Sequence, residues 1–477
     1  MDRLLEEVGV VEVLGDPAAV EITSVEFDSR SARPGSLFCC LAGGATDGHD
    51  HAPEAVARGA PALLVERPLA LHATQVVVAP GTARAAMARV ARTLYGDPAT
   101  ALTTVGVTGT NGKTTVTHLL GAVFEAHGWP AAVIGTLDGA RTTPEAPVLQ
   151  RLLAEARDGG RRAVAMEVSS HALTQRRVDG IRFDAAVFTN LSHDHLDYHR
   201  TMEAYFEAKA ALFGADRCAL AVVNADDDWG RRLLERVTVP AVGFSMAEVD
   251  DVEDGAPGLS FTWRGRRVAM ALAGSLHVAN ALAAATAAAA LGVPEDDVVA
   301  GLRRAAPIRG RFEVVGTDAP FTVVVDYAHT PDGLELALAA ARRLAGGHRV
   351  VCVFGCGGDR DHDKRPAMGA VAAAGADVVV LTSDNSRGEE PRAIAAEVLA
   401  GVPRDGGAAF EVELDRGLAI ERAVAVAGPG DVVLVAGKGH EQVIEVGDRR
   451  IPFDDRAVVA AAARRRSAAP RSAVTPP

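Results

Sequence analysis

Short runs of consecutive apolar residues alternate with amphipathic stretches over most of this chain, and the two rhythms predict its architecture. A run buried on both faces reads as a strand of a covered parallel sheet, whereas apolar positions three to four apart read as a helix lying on one. Near the start, Ser36-Leu-Phe-Cys-Cys-Leu41 and Pro61-Ala-Leu-Leu-Val65 predict buried strands flanking a helix over 51–59. Tyr95-Gly-Asp-Pro98 breaks the pattern and predicts a boundary there. A strand at 102–107 opens a strand–helix alternation that runs to about residue 309, as in a parallel sheet covered by helices. From Gly310-Arg-Phe-Glu313 onward, apolar strands at 321–325, 349–354, 377–382 and 431–435 each lead into a polar loop. In an open α/β sheet ligands bind at the carboxyl ends of the strands, so four such loops imply one shared site. The arginine-rich end has no apolar periodicity, and 466–477 is expected to be a disordered tail.

The predicted units, 1–98, 99–309 and 310–465, suit a chain of 477 residues, since a single core usually serves roughly 150. Apolar residues make up 48%, yet no run approaches the roughly 20 of a membrane span. The acidic opening Met1-Asp-Arg-Leu-Leu-Glu-Glu resembles no signal peptide, so a soluble, cytoplasmic protein without membrane insertion is expected. With 49 basic against 62 acidic residues and a net charge of −13, a nucleic-acid surface is not expected. The five cysteines lack paired spacing, which predicts reduced thiols rather than disulfides or a zinc site.

The most specific local signal follows the strand at 102–107. Gly109-Thr-Asn-Gly-Lys-Thr114, with Thr115 after it, is a glycine-rich turn whose backbone N–H groups can face a phosphate. In such a loop Lys113 reaches the terminal phosphates and the Thr114 hydroxyl can ligate Mg²⁺. A generic cradle has a further glycine where this chain has Val107. Two later strands end in Glu167-Val-Ser-Ser-His171 and Thr189-Asn-Leu-Ser-His-Asp-His-Leu-Asp-Tyr-His199, which should open on the same crevice. Glu167 and the histidine-aspartate cluster, His195 included, then fall where Mg²⁺ on ATP needs partners. The absence of cysteines nearby disfavours Zn²⁺. In the helix predicted over 201–213, Met202, Tyr205, Phe206, Leu212 and Phe213 form an apolar stripe with Lys209 in its middle. Such a lysine either snorkels to water or is buried as a neutral, reactive amine.

Those motifs, together with Asp326-Tyr-Ala-His-Thr-Pro331, occur in the order and approximate spacing of the Mur ligases of peptidoglycan synthesis, which the chain resembles over nearly its whole length. The resemblance implies an α/β fold of three domains. A smaller mixed α/β N-terminal domain would bind the UDP end of the substrate. A central P-loop ATPase would lie on a mostly parallel sheet, and a C-terminal, Rossmann-like doubly wound sheet would bind an amino acid. It implies an ATP-dependent amide ligase that passes through an acyl phosphate; a monomer is expected, although the sequence does not encode the oligomeric state legibly. Lys113, Lys209, His195 and Glu167 match catalytic positions; Thr114, Glu167, His195 and a carbamate on Lys209 match Mg²⁺ ligands. ATP contacts match Gly109, Thr110, Asn111, Gly112, Lys113, Thr114 and Thr115, with Asn280, Arg311, Asp326 and His329 from later segments. Ser29, Gly44, Ala45 and Thr46 match the uridine region, and Thr142, Thr143, Ser169, Gln175 and Arg177 match contacts to the muramoyl dipeptide.

Within the family the chain looks most like the members that add 2,6-diaminopimelate to UDP-N-acetylmuramoyl-L-alanyl-D-glutamate. There Asp384-Asn-Ser-Arg387 stands where those members carry Asp-Asn-Pro-Arg, and the arginine pairs with the far carboxylate of the amino acid. Arg360, Asp384, Asn385, Gly437 and Glu441 match the remaining contacts, Glu441 being suited to an ammonium group. Ser386 in place of proline is expected to loosen the loop. His277 replaces the first asparagine of a Gly-x-x-Asn-x-x-Asn pattern ending at Asn280. Two alternatives stay open: the same ligase using L-lysine or another diamino acid, and a ligase like folylpolyglutamate synthetase. The latter lacks the Asp384 to Arg387 selector and the Thr142-Thr143 pair.

Overall fold

The computed structural model describes the chain except residues 7, 44–45, 138, 140, 257, 405–406 and 469–477. Three sheet-centred units follow one another. In the first, strand Val10–Leu14 runs antiparallel to Thr74–Val78, and Ala62–Val65, Ser36–Cys39 and Ser24–Glu26 continue the sheet in parallel. The helix expected over 51–59 is Ala52–Ala57. Helix Ala83–Leu94 ends just before Tyr95, where the breaker was read.

The second unit is a six-stranded parallel sheet. Its order is Ala241–Phe244, Ala221–Asn224, Ala185–Phe188, Thr103–Thr108, Ala163–Glu167 and Ala131–Ile134, which places the phosphate-loop strand near the middle. Val105 and Val107 are fully buried on the face covered by helices Lys113–Ala126 and Leu276–Ala290. The opposite face takes Phe183, Tyr205, Phe206 and Leu212. Each such side chain contributes about 1.5–3 kcal/mol on burial, so the strand ends that carry the loops are anchored from both sides.

The strand–helix alternation does not run unbroken to 309. Val249–Asp254, Leu259–Trp263 and Arg266–Met270 form a three-stranded antiparallel sheet. Leu259, Phe261 and Trp263 are buried with Val298 and Leu302 of helix Glu295–Arg304. Their apolar-polar alternation was a legible period-2 signal.

The main sheet of the third unit has the four expected strands and two more, and Val443–Val446 and Arg449–Pro452 add a separate antiparallel pair. The order in the main sheet is Glu313–Val315, Thr322–Asp326, Val432–Ala436, Val350–Phe354, Val378–Leu381 and Ala409–Val412, parallel except for the first. Glu313–Val315 is short and half-buried, and Ala409–Val412 is a largely exposed edge, so neither shows an apolar run. The expected tail is also corrected: helix Asp455–Ala468 extends to 468, because alanine and arginine are good helix formers. Residues 469–477 lie outside the described residues. No helix among the described residues is long and apolar enough to cross a membrane.

Candidate active site

The loop from Gly109 to Gly112 depends on both glycines. Each has positive φ, 144° and 87°, and a Cβ at Gly109 would collide with the Thr189 hydroxyl, one at Gly112 with the Asn280 amide oxygen. The neighbouring loop braces it: the Asn111 N–H donates to Asn190 Oδ1 at 2.9 Å, and Thr189 Oγ1 donates to the Asn111 carbonyl at 2.6 Å. Lys113 Nζ donates to the carbonyls of Gly109 and Thr110 at 2.9 and 2.8 Å. Lys209 Nζ donates to the same Gly109 carbonyl at 2.8 Å.

Lys209 is 1% exposed, so it does not snorkel. Its ammonium lies 4.6 Å from the centre of the Tyr205 ring. Burial, joined by the charge of Lys113, lowers its pKa well below that of an ordinary lysine, with Asp194 opposing. The amine sits behind the loop, whereas Thr110 to Thr115 line the cleft in front.

Glu167, expected in a loop, is the last residue of its strand and 1% exposed. Its Oε1 accepts from the Thr136 N–H at 2.8 Å. His195 adopts φ 55° at the start of helix Leu196–His199, with its Nε2 3.3 Å from Asp194 Oδ2. Partial burial pushes its pKa down to about 3, leaving a neutral imidazole with a free lone pair at pH 7. Among the described residues, no three His, Cys, Asp or Glu side chains converge closely enough to hold a metal alone. Any Mg²⁺ here would rely on phosphate, water and the Thr114 hydroxyl as well.

From the third unit, Arg311 Nη2 donates to Thr114 Oγ1 at 2.9 Å and its guanidinium lies over the Tyr327 ring. Asp326 is committed to its own loop, accepting from the N–H groups of Phe312 and Ala328 at 2.6 and 2.8 Å, and burial raises its pKa. His329 Nδ1 is 2.8 Å from the Tyr327 carbonyl. Asn280, Arg311, Asp326 and His329 thus share one cleft with Thr110 to Thr115, Glu167 and His195. His277 lines it too. Burial lowers its pKa to about 4, so its Nε2, 3.2 Å from the Arg311 carbonyl, must carry the proton. Nδ1 is left as a buried acceptor without a partner among the described residues.

A second cleft adjoins the first and gathers Thr142, Thr143, Ser169, Arg177, Arg360, Asp384, Asn385, Arg387, Gly437 and Glu441. Thr143 Oγ1 donates to the Glu167 carbonyl at 2.9 Å and accepts from the Ser169 N–H at 3.1 Å, tying the two clefts together. The expectation of a loose loop at Ser386 meets several restraints. Ser386 is 1% exposed, while Arg387 at φ 49° donates its N–H to the Glu445 carbonyl and accepts from the Gly447 N–H. Its guanidinium bonds the Gly358 carbonyl at 2.7 Å and pairs with Glu445 at 3.3 Å. A third cleft takes Ser29, Thr46, Gln175 and Arg177. Gly44 and Ala45 lie outside the described residues.

Comparison with known proteins agrees with this arrangement. The Mur ligase family catalytic domain matches residues 21–105, the Mur ligase middle domain 107–288, and the Mur ligase glutamate ligase domain 310–439. A protein of Geobacillus kaustophilus named UDP-N-acetylmuramoyl-L-alanyl-D-glutamate–2,6-diaminopimelate ligase is 45% identical, over 94% of this chain and 96% of that protein. The chain belongs to the Mur ligase family. A Streptomyces coelicolor protein of the same name is 44% identical to this Mur ligase, over 96% of this chain and 95% of its own. A solved structure titled with that name matches 96% of this chain and 98% of its own at 32% identity and a TM-score of 0.65.

In this Mur ligase the sequence reading missed Lys438. Fully buried, it donates to Asn385 Oδ1 at 3.0 Å and pairs with Glu441 at 2.8 Å. Glu441, which lines the second cleft, thus already pairs with one ammonium of the protein, three residues away. The clustering of Lys438 and Glu441 in one glycine-rich loop was the available signal. The five cysteines are free and buried, and burial raises the Cys356 pKa to about 12, which disfavours its thiolate.

Proposed function

We propose that this Mur ligase joins diaminopimelate to the D-glutamate side-chain carboxylate of UDP-N-acetylmuramoyl-L-alanyl-D-glutamate, with ATP converted to ADP and phosphate. The reaction belongs to peptidoglycan precursor synthesis in the cytoplasm, and the enzyme works as a monomer without nucleic acid. One observation carries the reading. Thr142, Ser169 and His195 line both the phosphate-loop cleft and the cleft that holds Asp384, Asn385 and Arg387. A carboxylate seated there has a phosphate donor on one side and an amine on the other.

A carboxylate is a poor electrophile, so one oxygen first attacks the γ-phosphorus and ADP departs. The amine then attacks the acyl carbon, phosphate leaves, and the nitrogen loses a proton. Lys113 and the loop N–H groups hold the phosphates, and the positive φ of Gly109 and Gly112 lets the loop turn its N–H groups toward such an anion. Thr114, Glu167 and neutral His195 are the hard oxygen and imidazole donors that Mg²⁺ accepts, and the ion would offset charge developing on the phosphates. Lys209, as a carbamate, would add a carboxylate to that set. The contact between Arg311 and Thr114 brings the third unit onto the loop, the direction in which closure over an acyl phosphate would shield it from water.

The deciding experiment offers meso-diaminopimelate, LL-diaminopimelate, L-lysine and L-ornithine side by side with UDP-linked dipeptide, ATP and Mg²⁺. Phosphate release is expected with a diaminopimelate isomer and not with lysine or ornithine. Equal turnover with lysine would reassign the amino acid, and release with none would overturn the ligase reading.

Arg387 is the residue proposed to read the far carboxylate. Arg387→Asn, which tolerates the left-handed backbone better than alanine, is expected to raise KM for diaminopimelate about 10- to 100-fold, the scale of a lost charge-assisted pair, with KM for ATP unchanged. Equal rises in both constants would refute this selector role.

A further inference from the structure

Glu145 precedes helix Ala146–Asp158 and is 5% exposed. It pairs with three arginines from three segments: Arg84 at 3.2 Å, Arg141 at 2.8 Å and Arg177 at 3.1 Å. Arg84 belongs to helix Ala83–Leu94 of the first unit. Arg141 directly precedes Thr142-Thr143, and Arg177 also donates to the Thr143 carbonyl at 2.9 Å and to Gln175 Oε1 at 2.7 Å. Three guanidiniums around one carboxylate leave an excess of two positive charges at this point.

That excess faces open space. Arg84, Arg141 and Arg177 all line the cleft that contains Ser29 and Thr46, and Arg141 and Arg177 also line the cleft with Thr143 and Ser169. The cluster therefore stands where the two clefts meet. Arg141 is 53% exposed and Arg84 29%, whereas Arg177 is 11% exposed and spends its donors on the protein. Two acids on the far side do not cancel the charge, since Asp28 is paired with Arg30, and Glu54 with Arg58 and the Ser29 hydroxyl. Guanidiniums gathered by one carboxylate are held with their remaining N–H groups directed away from it, so little further ordering is needed to take an anion.

We propose that Arg84 and Arg141, held together by Glu145, form the subsite for the diphosphate of the nucleotide-sugar substrate. A doubly charged diphosphate diester matches the local excess, and its position between the clefts matches the middle of a molecule with uridine at one end and a peptide at the other. The inference rests on the proposed UDP-linked substrate, but a binding measurement decides it without turnover.

Binding of UDP and of uridine is measured by calorimetry for the wild type, Arg141→Gln and the Arg84→Gln/Arg141→Gln double variant. The wild type is expected to bind UDP more tightly than uridine. Arg141→Gln, at an exposed position and with Arg84 and Arg177 still paired to Glu145, is expected to weaken UDP about 10-fold and the double variant about 100-fold, with uridine unchanged. KM for the UDP-linked dipeptide should rise in parallel while KM for ATP and the amino acid holds. Unchanged UDP affinity in both variants overturns the subsite, as does equal weakening of uridine and UDP or a wild type without preference for UDP. Failure of the ligase reading shows separately, as absent turnover by a wild type that still prefers UDP.

Discussion

Lys113→Ala is expected to abolish ligation, lowering kcat by on the order of a thousandfold, since removal of a preorganised donor to transition-state charge costs about 100- to 1000-fold and this ammonium is a full charge. The starting position of Lys113 is informative. Its Nζ is held by the carbonyls of Gly109 and Thr110, so it is aimed along the loop that would wrap the phosphates. Burial lowers its pKa, while Glu167 and Asp194 favour the charged form. Truncation also leaves the Thr110 carbonyl without that donor, so thermal unfolding should be followed alongside. Lys113→Met, similar in reach but uncharged, separates lost charge from lost packing. Either variant turning over at the wild-type rate while folded would remove the ATPase assignment.

Lys209→Ala is expected to cost at least a hundredfold in kcat and to regain part of it when formate or acetate is added. The amine is fully buried, bonded to Gly109 O and depressed in pKa. A depressed pKa leaves more neutral amine at neutral pH, which can attack CO₂ to form a carbamate and release a proton. As pH falls through that pKa the amine becomes protonated and the carbamate is lost. Activity of the wild type should therefore decline on acidification and on stripping of CO₂, whereas a carboxylate-rescued Lys209→Ala should not respond to CO₂. The alternative is a lysine that only props the phosphate loop through Gly109. That role predicts no rescue by small carboxylates, a lowered melting temperature and indifference to CO₂.

Much of the fold was legible because its strands are buried on both faces and so read as continuous apolar runs. Thr322–Asp326, Val350–Phe354 and Val432–Ala436 fall within a residue of their predicted places. The misses share a physical cause. Ala409–Val412 and Glu313–Val315 sit at sheet edges, where half the surface meets water and the apolar run disappears. The antiparallel insert at Val249–Met270 alternates with period 2 and was lost in a reading tuned to buried parallel strands. At the site, Lys438 was overlooked because a lone lysine in a glycine-rich loop reads as solvated until its neighbours are known.

The sequence alone determined the glycine-rich loop at Gly109 to Thr114, the polar segment from Asp384 to Arg387 and the order of the units, since each is written in residues adjacent along the chain. Glycine spacing is a local constraint, and an apolar run is a local statement about burial. What only the tertiary structure decided is which polar groups meet. Arg311 reaches Thr114 across 197 residues, Lys209 reaches Gly109 across 100, and Arg84 meets Glu145 across 61. Periodicity can say that Lys209 lies on an apolar stripe, and it says nothing of Glu145. Their partners depend on how separate sheets pack, and that packing sets the charge and the direction of every donor in the cleft.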